Sequence, residues 1–313
     1  MLWWPIDWIR QPAGAAGAKP SRLAMPAPTP PPAKDLQEVA ELGRELGLGS
    51  AYDSKRNFVL LTPGASGWAG LTTSVLDNVH DRFCQSFLQA GFTLRPPAGA
   101  LTWICFSTRA DFDRYARMAD HSDLWWSRGY YSTRTNRVAI FRCGDAQQGK
   151  DLTELAHEAA HQLAYNTGLQ KRGVMYPVWI SEGIATNLET VLISPSPLTT
   201  TNARRAQALR NGRFIPLAEL TAWTSVPVEN EQATENAYAH IWGLFHFLIN
   251  RKPAELQKYM AALSLMPAGR RGGMQLQQEF LRSFGPFSVV DAQFRQYVTA
   301  LGMENSIASG PSQ

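Results

Sequence analysis

The apolar residues of this chain change their pattern near residue 151, and this change constrains the fold more than any other feature. Before it, short apolar runs alternate with stretches of helical period; after it, no run indicates a strand. The predicted strands are 58–62, 101–106 and 137–142. The predicted helices are 35–48, 72–90, 110–119, 151–168, 178–192, 203–210, 235–250, 253–264, 274–283 and 289–301. We therefore predict an α+β fold in which a small mixed sheet with flanking helices precedes an all-helical lobe.

Composition separates the folded part of the 313 residues from the rest. Hydrophobic residues make up 44% of the chain and charged residues 18%, which is enough apolar content for a sizeable core. Residues 12–34 consist largely of Pro, Ala and Gly, which favours an extended tether over a packed element. We predict four parts: a flexible leader and linker over 1–34, an α+β lobe over 35–192, a helical lobe over 193–306 and a disordered tail over 307–313.

Charge and cysteine content argue against several classes of function. The 30 Lys and Arg against 26 Asp and Glu give a net charge of +4 with no basic block, so no nucleic-acid partner is predicted. No apolar run approaches the roughly 18 residues of a membrane-spanning helix, so no transmembrane span is predicted. The 3 cysteines have no C-x-x-C spacing and an odd count, which argues against a cysteine zinc site and a disulfide framework.

One stretch, His157-Glu-Ala-Ala-His161, carries the residues for metal chemistry. Side chains four residues apart lie on one face of a helix, so the two imidazoles can reach a single Zn²⁺. Glu158 is rotated by about 100° from His157 and can contact a water molecule instead of the metal. A possible capping box over 151–154 and a stop at Gly168 favour this helix independently. The alternative is a solvated helix face with incidental histidines.

A third metal ligand is expected downstream, because catalytic zinc usually has three protein ligands. Pro177 predicts the first turn of a helix that could return antiparallel to the first and direct Glu182 at the two histidines. Glu189 follows two turns later and could hydrogen-bond a liganding imidazole, although an ordinary surface carboxylate explains it equally well. The sequence thus predicts one Zn²⁺ per chain, bound by His157, His161 and Glu182.

These motifs resemble those of a known group of enzymes. The two histidines followed by W-I-S-E-G-I-A over 179–185 are similar to gluzincin zinc metallopeptidases, whose third ligand is a Glu in a W-x-x-E-G-x-A helix. The longer run over 157–169 is similar to a largely uncharacterised bacterial family in the peptidase-MA-like superfamily. The resemblance implies a thermolysin-like core with a small sheet, an active-site helix and a ligand helix, followed by a helical lobe. It also implies a peptide or protein substrate.

The resemblance assigns roles to two further segments. Gluzincins bind an extended substrate along an edge strand of the sheet. In this chain the strand at the corresponding place in the sequence could have that role, or it could equally be a buried strand without substrate contact. That strand consists of Val138, Ala139, Ile140 and Phe141. Gluzincins also use a downstream Tyr or His as oxyanion donor, for which Tyr238 is the first candidate and His240 the second. Only one of the two can face the metal from a single helix, and a hydrogen-bonded polar group in a buried helix is the alternative for both.

The sequence therefore predicts a zinc metallopeptidase, an endopeptidase, with Glu158 as general base and Tyr238 as oxyanion donor. Two alternatives stay open: a non-catalytic zinc-bearing scaffold that binds a protein or envelope partner, and a zinc hydrolase of a non-peptide amide. Ligand spacing does not separate them, because the walls of the groove select the substrate. The resemblance favours an extracytoplasmic location, although the N-terminus has no recognisable signal peptide.

Overall fold

A five-stranded sheet and a set of helices make up the fold. The computed structural model describes residues 25, 27–64, 67–124, 127–141, 148–191, 194 and 196–308. The strands are β1 Gly49–Asp53, β2 Phe58–Thr62, β3 Leu101–Phe106, β4 Gly129–Ser132 and β5 Arg137–Phe141. The helices of the described part are α1 Ala33–Glu45, α2 Gly67–Gln89, α3 Arg109–Asp120, α4 Gln148–Asn166, α5 Val178–Leu188, α6 Ala203–Asn211, α7 Leu217–Leu220, α8 Glu231–Arg251, α9 Pro253–Ser264, α10 Gly273–Phe284 and α11 Phe287–Ala308. None of these helices combines the length and apolar character needed to cross a bilayer.

The sheet is mixed, with strand order β1-β2-β3-β5-β4. The three inner strands β2, β3 and β5 run parallel, while β1 and β4 pair antiparallel at the two edges. Every residue of β2 and β3 is buried, because helices cover both faces of the sheet. The predicted α+β class and the small mixed sheet are confirmed.

One strand prediction is wrong, because β5 does not lie at an edge. The segment predicted to be the substrate-binding edge is interior, between β3 and β4. Its members are Val138, Ala139, Ile140 and Phe141. A hairpin turn brings β4 antiparallel alongside it, with Asn136 in the left-handed region (φ 58°) and its N–H donated to the Ser132 carbonyl at 2.9 Å. The edge strand is therefore Gly129–Ser132, a segment too short and too mixed in polarity to stand out in the sequence.

Two layers of helices cover the sheet. On one face, α1 and α3 pack over a cluster that includes Leu61, Ile104 and Phe112. On the other face, α2 and α4 pack over Trp103 and its neighbours. The Trp103 indole N–H donates to the side-chain oxygen of Gln162 at 2.8 Å, which fixes α4 on the sheet. The two histidines of interest are therefore on a helix with a rigid support.

The helical lobe continues this second layer without a break in the apolar core. Buried side chains form one cluster from β2 to α11, in which α5 packs between α4 and α8. The predicted division at residue 192 stays a prediction. Residues 33 and 34, which were assigned to the linker, begin α1. Helix α11 extends to residue 308, which was assigned to the tail. The leader over 1–24 lies outside the described residues. No sequence signal indicated the short helix α7.

The bounds of α4 differ from the prediction at one end. The helix begins at Gln148, so the predicted capping box over 151–154 lies inside it. Its C-terminal end agrees with the sequence, because Gly168 has φ 80° just after Asn166 and lets the chain turn away.

Gly183 allows α5 and α8 to approach each other closely. An added Cβ would lie 2.6 Å from Cβ and 2.9 Å from Cγ of Phe245, closer than carbon atoms pack. We expect Gly183→Ala to lower the free energy of unfolding by roughly 1–3 kcal/mol, measured by urea denaturation. Gly70→Ala is the control, since it lies in α2 with no atom within 4 Å of the added Cβ. That variant should gain roughly 0.5–1 kcal/mol, and equal effects of the two changes would contradict the close contact.

Candidate metal centre

Three potential ligands meet between α4 and α5. The Nε2 atoms of His157 and His161 are 3.2 Å apart. Glu182 places Oε2 3.3 Å from the His157 Nε2 and Oε1 3.6 Å from the His161 Nε2. Ligands at about 2.1 Å from a tetrahedral Zn²⁺ lie about 3.4 Å from each other, so this spacing fits one shared cation. Among the described residues, this group could hold a metal ion.

The imidazole of His157 is oriented by a carboxylate behind it. Its Nδ1 lies 3.3 Å from Glu189 Oε1, which favours the proton on Nδ1 and leaves the Nε2 lone pair for a metal. Arg205 of α6 donates to both oxygens of Glu189, from Nη2 at 2.6 Å and from Nε at 3.1 Å. The predicted role of Glu189 as a partner of a liganding imidazole thus has direct geometric support, and the bidentate arginine holds that carboxylate in place.

The charges around the group favour a bound cation. Burial works against ionisation of Glu182, but both histidines and Arg205 outweigh it and lower the pKa of Glu182 to about 2. Burial lowers the pKa of His161 to about 4, which keeps that imidazole neutral and able to act as a ligand. Burial also opposes the charge on His157, but hydrogen bonds to Glu182 and Glu189 raise its pKa well above the ordinary value. His157 is therefore the residue of the group that binds a proton most readily. A metal ion would compete with that proton for the lone pair of its Nε2.

Glu158 lies one residue beyond His157, against the edge strand β4. Its side chain is 6% exposed, and the backbone N–H of Tyr131 hydrogen-bonds to it. An added Cβ at Gly129 would be 3.5 Å from the Glu158 Cγ, an ordinary contact distance, so the side chain of Glu158 lies directly against this strand. Burial, with further contributions from Glu154 and Glu182, raises the pKa of Glu158 to about 8. A buried carboxyl with such a pKa beside a metal-binding group is a candidate proton acceptor.

Tyr238 and His240 of α8 differ in where their side chains lie. Burial and the nearby carboxylates Glu182 and Glu158 raise the pKa of Tyr238, so the phenol lies within the field of the candidate centre. The guanidinium carbon of Arg205 lies 5.5 Å from the centroid of its ring. His240 lies elsewhere: its Nε2 accepts from the Ile215 N–H at 3.0 Å and its Nδ1 bonds the Asn236 carbonyl at 2.9 Å. Tyr238 is thus close enough to feel the carboxylates of the centre, whereas both ring nitrogens of His240 are bonded to backbone groups.

Residues 151–268 match a family model described as "Protein of unknown function (DUF1570)". The matched segment includes the histidine helix, Glu182 and Tyr238. It ends before α10, and the sheet lies outside it. No curated protein gives a significant match to the chain.

Two contributors to the site had not been inferred from the sequence. Arg205 lies inside the DUF1570 segment, but nothing in its spacing relates it to Glu189, which it reaches only because α6 packs on α8. The edge strand β4 lies upstream of that segment. One sequence pattern could have indicated β4. A polar turn that ends at Asn136 joins Tyr130 and Tyr131 to the next apolar run, and this pattern is typical of a hairpin.

Proposed function

We propose that this protein is a zinc-dependent hydrolase of peptide bonds, with a thermolysin-like, gluzincin type of centre. The proposal depends on one observation: a three-ligand group adjoins a buried carboxyl, Glu158, that is not itself a ligand. Structural zinc sites are closed by four protein ligands, whereas catalytic ones use three and leave a position for water or substrate. A scaffold role would require neither the free position nor a proton acceptor next to it.

The residues of the centre divide the chemistry among them. Zinc bound by His157, His161 and Glu182 would supply Lewis acidity towards a carbonyl and a water molecule. Glu158 would accept a proton from that water and pass it to the departing amine. Tyr238 would donate a hydrogen bond to the carbonyl oxygen as negative charge develops on it.

The strand that would bind the substrate backbone is β4. It ends the described sheet, and an extended peptide could pair with its outer side by replacing the Ser127 and Glu158 side chains that now bond its backbone. It also carries the N–H of Tyr131 that reaches Glu158. A peptide that extends the sheet here would pass directly over the proposed general base.

Turnover of a mixed-peptide library by zinc-loaded protein tests this function. We expect cleavage that chelation abolishes and added Zn²⁺ restores. Full zinc occupancy without cleavage of any peptide would contradict the proposal and favour the scaffold, and cleavage of a non-peptide amide alone would favour the other alternative.

Removing the Tyr238 hydroxyl should slow the reaction without loosening the fold. We expect Tyr238→Phe to lower kcat by about 10²–10³-fold with a smaller effect on KM, because the donor acts mainly in the transition state. The ring and its contact with Arg205 stay, so the melting temperature should change little. His240→Ala is the counter-test: it removes the acceptor of the Ile215 N–H and should lower stability more than kcat. The opposite result, with kcat lost only in His240→Ala, would reverse the assignment.

A further inference from the structure

A cavity of about 730 Å³ opens at the C-terminal end of α4, the helix that carries the two histidines. Tyr165 forms one wall of the cavity. It follows His161 by four residues on the same helix, which corresponds to about 6 Å along the helix axis. Thr133, in the turn that follows β4, forms another. The remaining walls come from two loops around Val174 and Gly269, which are joined by a parallel β-bridge. The cavity thus adjoins the helix and the edge strand that flank the candidate centre, and its lining does not include the three ligands themselves.

The charged side chains that line this cavity are all cationic. Arg270 and Arg271 are its charged lining residues. The two loops, 171–175 and 268–272, together contain Lys171, Arg172 and these two arginines but no acidic residue. This local excess contrasts with the nearly balanced charge of the chain as a whole.

The two lining arginines differ in how far they are neutralised. Arg271 donates to Glu279 at 2.9 Å and to the Met175 carbonyl, so it ties the loops together. Arg270 is exposed and, among the described residues, has neither an ion-pair partner nor a hydrogen-bond acceptor. Its guanidinium therefore offers donors in a fork that matches a carboxylate, and Thr224 and Ser225, which carry hydroxyl groups, belong to the same lining.

The direction of β4 decides which part of a peptide would reach the cavity. The strand runs from Gly129, beside Glu158, to Ser132, next to the lining residue Thr133. A peptide paired antiparallel to it runs the other way, so residues that precede the scissile bond extend towards the cavity. At about 3.3 Å per residue, the distance from His161 to Tyr165 corresponds to about two residues.

We propose that this cavity binds the carboxylate of an Asp or Glu side chain located two to four residues before the scissile bond. The proposal rests on the proposed function, since it defines the substrate class of the same cleft. Arg270 would be its specificity-determining residue. A charge-assisted pair of this kind gives roughly a tenfold preference over the neutral amide, and the preference should fall as ionic strength rises.

Matched peptides test the proposal through kcat/KM. The peptides are identical except for Glu or Gln at the second, third or fourth position before the cleaved bond. We expect the zinc-loaded wild type to prefer Glu about tenfold at one of these positions, and Arg270→Ala to reduce that ratio to about one to threefold. Arg117→Ala, an exposed arginine on α3 across the sheet, is the control and should keep the full ratio. Equal rates for Glu and Gln peptides in wild type, or an unchanged ratio in Arg270→Ala, would overturn the proposal.

A binding measurement separates this proposal from the hydrolase proposal. Zinc-loaded Glu158→Gln should bind fluorescently labelled Glu peptides about tenfold more tightly than their Gln counterparts, measured by anisotropy. If no peptide is cleaved but this preference exists and depends on Arg270, the cavity assignment stands and the hydrolase proposal fails. If peptides are cleaved with no preference at any of the three positions, the hydrolase proposal stands and the cavity assignment fails.

Discussion

Replacement of Glu158 by Gln is expected to abolish nearly all hydrolysis while leaving the metal in place. Glutamine keeps the shape of the side chain against Gly129, but an amide cannot accept the proton that the reaction must remove from water. We expect kcat to fall by about 10³–10⁴-fold, the upper part of the range for acid–base catalysis, because one carboxyl serves both proton transfers. Steady-state kinetics and elemental analysis of the same preparation measure the two quantities together.

The chain offers a matched control for this substitution. Glu154 lies one turn earlier on α4, and burial raises its carboxyl pKa as well. Glu154→Gln should retain activity within a few-fold if Glu158 is the base, since only Glu158 adjoins the ligand group at the required position. Activity of Glu158→Gln close to that of the wild type, or a much larger loss in Glu154→Gln, would show that the proton acceptor lies elsewhere.

The inner strands of the sheet could be predicted because a strand buried on both faces needs apolar residues at every position. Strands β2 and β3 are covered on both faces, so each has a continuous apolar run between turn residues. The edge strands have no such continuous apolar run. Four of the five residues of β1 are exposed, and β4 has buried residues only at its ends. A strand's own residues also do not reveal its neighbours, which is why β5 was placed at the edge that β4 occupies.

The metal group could be predicted because helix geometry fixes it locally. The spacing of His157 and His161 determines their common face, and a second helix with a carboxylate completes the set. The orientation of α8 could not be predicted in the same way. That helix is buried almost all round from Ala237 onward, so no polar face indicates which side meets the metal centre. Only the packing of α8 on α5 separates Tyr238 from His240.

Replacement of His161 by Ala is expected to remove most of the bound zinc. The wild type should hold about one Zn²⁺ per chain, whereas a site with His157 and Glu182 alone lacks one of the three required protein ligands. Zinc should also stabilise the wild type, because it binds the folded group and not the dispersed residues of the unfolded chain. At a free zinc concentration 100 times Kd, binding would add about 2.7 kcal/mol to the free energy of unfolding.

Elemental analysis and urea denaturation with and without zinc check both parts of this expectation. In His161→Ala the stabilisation by zinc should disappear, because the Kd for zinc rises above the zinc concentration used. His121→Asn is the control: it replaces an exposed histidine outside the group and keeps a residue that tolerates the left-handed backbone there (φ 52°). It should bind zinc like the wild type. Full zinc content in His161→Ala would mean that the metal lies at other ligands, and the mechanism built on this group would lose its basis.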